Sequence, residues 1–212
     1  MMIVNYLLAN GIENVVLDVD DTLYLERDYV RSGFLALGHA MDMKAFGELC
    51  WSYFEAGIRG NTFDLAREAL NHDPRIWPTA DLVTCYREHT PNISLCEDAA
   101  QFLHHCQQSM AVITDGPLAS QRAKVAALGL GKHIRTVIYT AEHACPKPAK
   151  EAYIMTAGTI PPQRCAYIAD NPAKDFLAPH AMGWKTIRIR RPLGLHTAIA
   201  SGPDVDVEFE SF

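Results

Sequence analysis

Three aspartates, Asp18, Asp20 and Asp21, follow directly on an apolar run in the segment VVLDVDDTLY. Clustered carboxylates repel one another and cost stability unless a cation or a shared proton compensates them. An aspartate carboxylate can also attack phosphorus as a nucleophile, and a neighbouring one can act as general acid and base. The cluster therefore raises the question of which partner neutralises it.

Polar residues also follow three later apolar runs. In chain order they are Thr114, Lys147 between two prolines, and Asp170 with Asn171 beside it and Asp175 five residues on. In open α/β sheets, ligands bind beyond the carboxyl ends of the strands. We therefore expect these side chains and the first aspartates to share one edge of a sheet.

The elements that must position these residues are predicted to form a Rossmann-like, three-layer α/β core. From Pro91 onward, strand-length apolar runs alternate with segments of helical periodicity, which is typical of βαβ units around a parallel sheet. The predicted strands are residues 12–18, 110–114, 136–140, 165–169, 184–189 and a short edge strand at 205–209. The predicted helices are residues 95–107, 118–128, 149–157 and 174–182.

Residues 25–90 have a different pattern. Four segments with helix-length apolar periodicity follow one another without a convincing strand: 27–41, 44–57, 63–72 and 79–89. Because the strand at 12–18 must join the later strands, this helical block is an insertion. We predict an α/β core domain of residues 1–24 and 91–212, and an all-helical domain of residues 25–90 with its aromatic residues in the interior.

Composition argues against several function classes. The net charge is −6, and the sequence has no basic stripe that would indicate binding to nucleic acid or to an anionic membrane. No apolar stretch approaches the ~20 residues needed to cross a bilayer, and the first residues lack the basic start and cleavage site of a secretory leader. The six cysteines are scattered, without a C-x-x-C pair or zinc-type histidine spacing. We expect reduced thiols in a cytoplasmic protein.

The polar segments follow the order of a known family's motifs. D-x-D-x-T after the first strand, the strand-terminal Thr114, the loop Lys147 and D-x(4)-D from Asp170 resemble the haloacid dehalogenase (HAD) superfamily over nearly the whole chain. The helical insertion between the first and second motifs resembles that family's cap domain. The segments ITDGP, KP and ADNPAKDF are similar in sequence to the corresponding segments of its phosphatases.

The resemblance implies catalytic roles in a phosphomonoester hydrolase. Asp18 would attack phosphorus and form an aspartyl-phosphate. Asp20 would protonate the leaving alkoxide and then deprotonate the attacking water. The Thr114 hydroxyl and the Lys147 ammonium would hold the phosphoryl oxygens, which carry the charge of the transition state.

The resemblance also implies a Mg²⁺ site. Asp18, Asp170 and the Asp20 carbonyl would bind the ion, because hard divalent cations prefer oxygen ligands and keep several waters. Asn171 and Asp175 would stand behind these ligands and orient metal-bound water, Asp170 or the loop lysine.

Two alternatives remain open. A 2-haloacid dehalogenase expels halide, which needs no proton, and that branch usually lacks an aspartate two residues after the nucleophile; Asp20 therefore favours a phosphatase. A non-catalytic binding or regulatory module is the other alternative. Ala169 stands where the fourth motif normally has glycine, and it would weaken the site if the position required a positive φ or a close approach to the backbone.

The expected substrate is a small phosphorylated metabolite, either a sugar phosphate or a nucleoside monophosphate. Because the core of such an enzyme recognises phosphate and metal, the cap must supply the remaining contacts, and the candidates for these are Tyr24, Arg27, Arg59 and Asn61. Residues 188–191, RIRR, are expected on a solvated face. Both a monomer and a homodimer agree with the sequence.

Overall fold

The computed structural model describes residues 2–212 and contains a six-stranded parallel sheet. The strands are β1 (Asn14–Leu17), β2 (Ser109–Thr114), β3 (Thr136–Tyr139), β4 (Cys165–Ala169), β5 (Lys185–Ile189) and β6 (Val207–Phe209). Their order across the sheet is β3-β2-β1-β4-β5-β6, and each neighbouring pair is parallel. The predicted parallel α/β fold is confirmed, and β6 lies at the sheet edge as expected.

The strand that precedes the aspartate cluster lies inside the sheet. In the register, Asn14 of β1 is paired with Ser109 of β2 on one side and with Cys165 of β4 on the other. All four residues of β1 and all five of β4 are buried, because helices cover both faces of a parallel sheet. This double burial explains the uninterrupted apolar runs from which both strands were predicted.

Except for the first, the helices follow the predicted segments with ends that differ by a few residues. They are α1 (Met2–Ala9), α2 (Glu26–Ala40), α3 (Lys44–Glu55), α4 (Thr62–Ala69), α5 (Thr79–Glu88), α6 (Glu97–His105), α7 (Leu118–Ala127), α8 (Glu151–Ala157) and α9 (Leu177–Ala181). No helix of the described part of the chain is both long and apolar enough to cross a membrane.

Helix α1 was not predicted from the sequence. Its sequence, MIVNYLLA, is apolar on most sides, so the periodicity that marks an amphipathic helix is weak. Ile3 and Leu7, one turn apart, are fully buried, whereas Met2 and Leu8 are exposed. Contact of one side of the helix with the core therefore decides the structure of this segment.

The chain divides into two compact units: the described residues up to Arg27 together with Ser94–Phe212, and Asp28–Ile93. The second unit is all-helical. Its interior is an aromatic and aliphatic cluster that includes Phe34, Phe46 and Phe54, as predicted for the aromatic residues of the insertion. That this unit serves as a cap stays a prediction.

Two arginines predicted on a solvated face are buried. Arg188 on β5 is fully buried, and its Nε donates to the Asp170 carbonyl at 2.9 Å. Arg191 is 7% exposed, and its Nε and Nη2 donate to the Thr22 carbonyl at 3.0 and 2.8 Å. The prediction was wrong because each guanidinium has carbonyl and carboxylate partners inside the fold, including Asp98 for Arg191, and such partners offset the cost of burial.

Candidate active site

The turn after β1 carries the first aspartate motif. The Asp18 N–H donates to the Ile168 carbonyl at 2.9 Å, which fixes the start of the turn beside the end of β4. Asp21 has a φ of 49°, in the left-handed region that aspartate tolerates better than most residues. Its carboxylate accepts the N–H groups of Glu26 at 2.8 Å and Leu195 at 2.7 Å. Asp21 therefore stabilises the turn through these two backbone contacts.

Three buried carboxylates from two strand ends meet in this region. The oxygens of Asp18, Asp170 and Asp175 lie within 4.8 Å of one another. Lys147 joins them from the loop after β3: its ammonium forms ion pairs with Asp18 and, at 2.9 Å, with Asp175. The structure thus brings together residues from all but one of the motifs that were predicted to share a sheet edge.

Burial dominates the electrostatics of this cluster. Desolvation raises the pKa of Asp18 to about 7; Asp175 and Asp20 add to the increase, and Lys147 opposes it. Desolvation, followed by the charges of Asp18 and Asp175, raises the pKa of Asp170 well above its ordinary value. Three carboxylates therefore share one ammonium, and Asp18 and Asp170 resist ionisation without further positive charge.

The donor set fits a hard divalent cation. The three carboxylates supply oxygen atoms, which Mg²⁺ prefers, and a bound cation would offset the charge that Lys147 leaves uncompensated. Asp175 was predicted to stand behind the ligands. Its oxygens accept from the Lys147 ammonium and, at 3.1 Å, from the Asn171 N–H, yet one of them lies within the same group as Asp18 and Asp170.

Asp20 has two partners in the structure. Lys124 Nζ on α7 lies 2.7 Å from one carboxylate oxygen and 2.9 Å from the other. The Tyr24 hydroxyl donates to the first of these oxygens. Tyr24, which was predicted as a substrate contact, is fully buried, and its role toward a substrate stays a prediction.

Thr114 ends β2 and is 1% exposed. Its hydroxyl donates to Gln121 Oε1 at 2.6 Å. The residue after Asp115 must be small, because Gly116 has a φ of 142° and a Cβ there would lie 2.8 Å from Gln121 Nε2. The turn after β2 is therefore shaped around Gln121.

The end of β4 shows which backbone conformation Ala169 adopts. Ala169 lies in β4 with an extended backbone and without positive φ, so the position does not need the conformational freedom of glycine. After it, the Asn171 side chain accepts the Ala173 N–H at 3.0 Å and lies 3.0 Å from His196 Nε2. These contacts orient the turn that carries Asp170.

The other predicted substrate contacts are Arg27, Arg59 and Asn61. Arg27 is half-buried at the start of α2. Arg59 and Asn61 are exposed residues of the helical unit. The Arg59 guanidinium lies 3.8 Å from the ring centre of Phe54 and donates to the Phe54 carbonyl at 2.6 Å. Their roles toward a substrate stay predictions.

Lys124 and Gln121 were missed in the sequence. Both lie in the segment 118–127, which was predicted as a helix, and both are 3% exposed. Their spacing of three residues places them on one helix face. Buried polar residues have no apolar periodicity to reveal them, and only the tertiary structure shows which side of the helix faces the strand ends.

Comparison with known proteins gives a family match and several structures of similar fold. The model of the haloacid dehalogenase-like hydrolase family matches residues 12–183. The fold is similar to that of the putative HAD-hydrolase YfnB from Bacillus subtilis, with a TM-score of 0.68 and 14% identity over 94% of this chain and 95% of that one. No curated protein sequence gives a significant match.

Two further structures share the fold. CbbY from Rhodobacter sphaeroides, solved with phosphate, has a TM-score of 0.62 and 22% identity over 94% of each chain. The L-2-haloacid dehalogenase from Xanthobacter autotrophicus has a TM-score of 0.55 and 20% identity over 91% of this chain and 85% of that one. One fold therefore accommodates proteins with different described activities and ligands.

Proposed function

Because the chain belongs to the haloacid dehalogenase-like hydrolase family, we propose that it is a Mg²⁺-dependent phosphomonoester hydrolase. Its substrate would be a small phosphorylated metabolite of the sugar phosphate or nucleoside monophosphate type, in the cytoplasm. Asp20 carries the proposal, since it places a second carboxylate two residues after the candidate nucleophile. A leaving alkoxide needs a proton, whereas a leaving halide does not.

Asp18 performs the first step. One of its carboxylate oxygens bonds to phosphorus while the bond from phosphorus to the leaving oxygen breaks, and Asp20 transfers a proton to that oxygen. In the second step, Asp20 accepts a proton from water as the water oxygen bonds to phosphorus. The aspartyl-phosphate bond then breaks, which releases inorganic phosphate and restores the Asp18 carboxylate and the protonated Asp20.

Lys147 and Thr114 stabilise the charge of the transferring group. The Lys147 ammonium already contacts Asp18, so it lies next to the atom that receives the phosphoryl group. Asp175 holds this ammonium at 2.9 Å, which limits its movement between ground state and transition state. Fixed positive charge of this kind is the main contribution of proteins to phosphoryl transfer.

Asp18 and Asp170, with the Asp20 carbonyl, would hold the Mg²⁺, and Asp175 and Asn171 would support them. When bound, the ion supplies positive charge to the phosphoryl oxygens and favours the ionised form of Asp18. Two proteins of the same fold were crystallised with the ligands proposed here, magnesium for YfnB and phosphate for CbbY. Both facts support the proposal by analogy of fold.

The test is phosphate release from a panel of compounds in Mg²⁺ and in EDTA. The panel contains ribose 5-phosphate, glucose 6-phosphate, nucleoside 5′-monophosphates, FMN and p-nitrophenyl phosphate, with 2-chloropropionate and chloride release to detect a dehalogenase. We expect phosphate release that disappears in EDTA and in Asp18→Asn. Chloride release, or activity that persists in Asp18→Asn, would contradict the proposal.

A non-catalytic module is distinguished by the same panel. All the side chains that the mechanism requires are present in this chain: Asp18, Asp20, Thr114, Lys147 and Asp170. A folded protein that binds Mg²⁺ but releases no phosphate from any compound would favour the non-catalytic alternative. Thermal shifts with each phosphate compound would then identify what it binds.

A further inference from the structure

Helix α7 directs polar side chains toward the interior of its unit. Ser120, Gln121 and Lys124 are each 3% exposed. A buried amide or ammonium costs free energy unless it is paired, and a surface helix normally turns apolar residues inward. Packing alone therefore does not explain why polar residues occupy this face of α7. The hydrogen-bond partners of Gln121 and Lys124 do explain it.

Lys124 is bound to the candidate acid of the reaction. Its ammonium contacts both oxygens of the Asp20 carboxylate, at 2.7 and 2.9 Å, and the side chains of Lys124 and Asp20 are 4% and 20% exposed. The hydroxyl of Tyr24 donates to the same carboxylate. These contacts hold the carboxylate in one orientation, with its remaining exposed part available to a ligand.

Gln121 is bound to the candidate phosphoryl contact. The Thr114 hydroxyl donates to Gln121 Oε1 at 2.6 Å. If the amide turns by 180°, Nε2 donates to the hydroxyl oxygen and the hydroxyl proton becomes available to a phosphoryl oxygen. Gln121 therefore controls where the Thr114 hydroxyl lies and which group receives its proton.

We propose that Lys124 and Gln121 are positioning residues for the hydrolysis, Lys124 for Asp20 and Gln121 for Thr114. This inference rests on the proposed phosphatase function. Both residues act through another side chain, so neither needs to touch the substrate. Helix α7 places them one turn apart, and one element thus sets the positions of the proton donor and of a phosphoryl contact.

The two residues act on different parts of the reaction. Proton transfer from Asp20 matters most when the leaving group is a basic alkoxide, and little when it is the weakly basic p-nitrophenolate. The Thr114 hydroxyl contacts the phosphoryl group, which is the same in every substrate. The decrease in kcat/KM on removal of Lys124 should therefore depend on the leaving group, whereas the decrease on removal of Gln121 should not.

The experiment compares kcat/KM, which reports the step that expels the leaving group, for two substrates. One is p-nitrophenyl phosphate and the other is the alkyl phosphate of the panel that the wild type hydrolyses fastest. We expect Lys124→Met to reduce kcat/KM about 100-fold for the alkyl phosphate and less than about 5-fold for p-nitrophenyl phosphate. Gln121→Leu should reduce both by a similar factor of about 10.

Matched controls are Lys132→Met and Gln163→Leu, which remove exposed residues of the same types.

A double-mutant cycle adds a test that a merely structural role would not pass. In an Asp20→Asn background, Lys124→Met should cause no further loss for the alkyl phosphate, because the group that Lys124 positions is already absent. Lys124→Arg, which keeps the charge, should recover part of the lost activity.

An equal loss for both substrates, no loss, or additive losses in the Asp20→Asn background would overturn the role of Lys124. Unequal losses in Gln121→Leu would overturn the role of Gln121. If Lys124→Met does not fold, Lys124→Gln gives the same contrast by the same criterion. Wild type without activity, or active Asp18→Asn, would instead contradict the phosphatase itself, so the two failures are distinguishable.

Discussion

The Lys147 ammonium lies 2.9 Å from the Asp175 carboxylate, and both side chains are 1% exposed. Desolvation alone would lower the pKa of Lys147, but Asp175 and Asp18 raise it well above its ordinary value. The lysine is therefore charged over the whole working range of pH. It contributes to the fold as well as to the proposed chemistry, because it neutralises carboxylates that would otherwise repel one another inside the protein.

Replacement of Lys147 by methionine should destabilise the metal-free protein strongly. The variant leaves the buried carboxylates of Asp18 and Asp175 without their cation, a change that costs about 3–5 kcal/mol in buried ion pairs. Urea unfolding in EDTA measures the free energy of unfolding. Lys150→Met, which removes an exposed lysine, is the control, and a loss of less than about 1 kcal/mol for Lys147→Met would show that the buried pairs contribute little.

Asp18→Asn should be more stable than the wild type in EDTA at pH 8. Burial raises the pKa of Asp18 to about 7, so the native state keeps a proton that the unfolded chain releases above its ordinary value near 3.8. The Asp18 contribution to stability therefore falls as pH rises from about 4 to about 7. The asparagine amide does not titrate in this range, so the variant does not lose stability in this way.

The measurement is the melting temperature of both proteins in EDTA from pH 5 to pH 8. The difference in favour of Asp18→Asn should grow with pH, and Mg²⁺ should reverse it by stabilising the wild type at pH 8. A difference that is constant with pH would show that Asp18 ionises in the native state as readily as in the unfolded chain.

Ala169→Gly should destabilise the protein without a large effect on turnover. Ala169 is fully buried in the extended strand β4, a conformation that does not require glycine. The substitution therefore brings no conformational benefit and lowers the free energy of unfolding by about 1 kcal/mol, through backbone entropy and lost packing. Chemical denaturation and phosphate release would test this. An increase in kcat of tenfold or more would instead indicate that the Ala169 methyl group obstructs the site.

Arg191→Met should weaken the turn after β1. Arg191 donates to the Thr22 carbonyl through two nitrogens and to both oxygens of Asp98, each at 3.1 Å. Its loss leaves a buried carbonyl without these donors, which costs about 1–3 kcal/mol. Arg190→Met, at a partly exposed arginine, is the control. Equal stability of the two variants in urea would exclude a role of Arg191 in holding the turn.

The fold and the carboxylate cluster were predictable because their signals are local. Buried parallel strands are continuous apolar runs, and each polar residue at a strand end follows its own strand. For example, Thr114 is the last residue of β2 and Asp170 follows β4. Once the strands are placed in one sheet, the rule that ligands bind at their carboxyl ends brings these residues together.

The supporting contacts were not predictable, because they depend on which face of an element is turned inward. Lys124, Gln121 and Arg188 are polar residues in buried positions, and their sequence context resembles that of surface residues. The contact between the Tyr24 hydroxyl and Asp20 was not predictable for the same reason, because the sequence does not show which way a side chain beside the motif points. Helix α1 was not predicted because its amphipathic periodicity is weak.

The central place of β1 in the sheet has a consequence for synthesis of the protein on the ribosome. β1 is made first but pairs with β2 and β4, and Asp18 meets a lysine 129 positions later in the chain. Translation proceeds at about 5–20 residues per second, so the β1 segment of the nascent chain lacks its neighbouring strands for on the order of ten seconds. During that interval the strand is exposed to chaperones and to other emerging chains, and the candidate active site cannot exist until translation has passed Asp175.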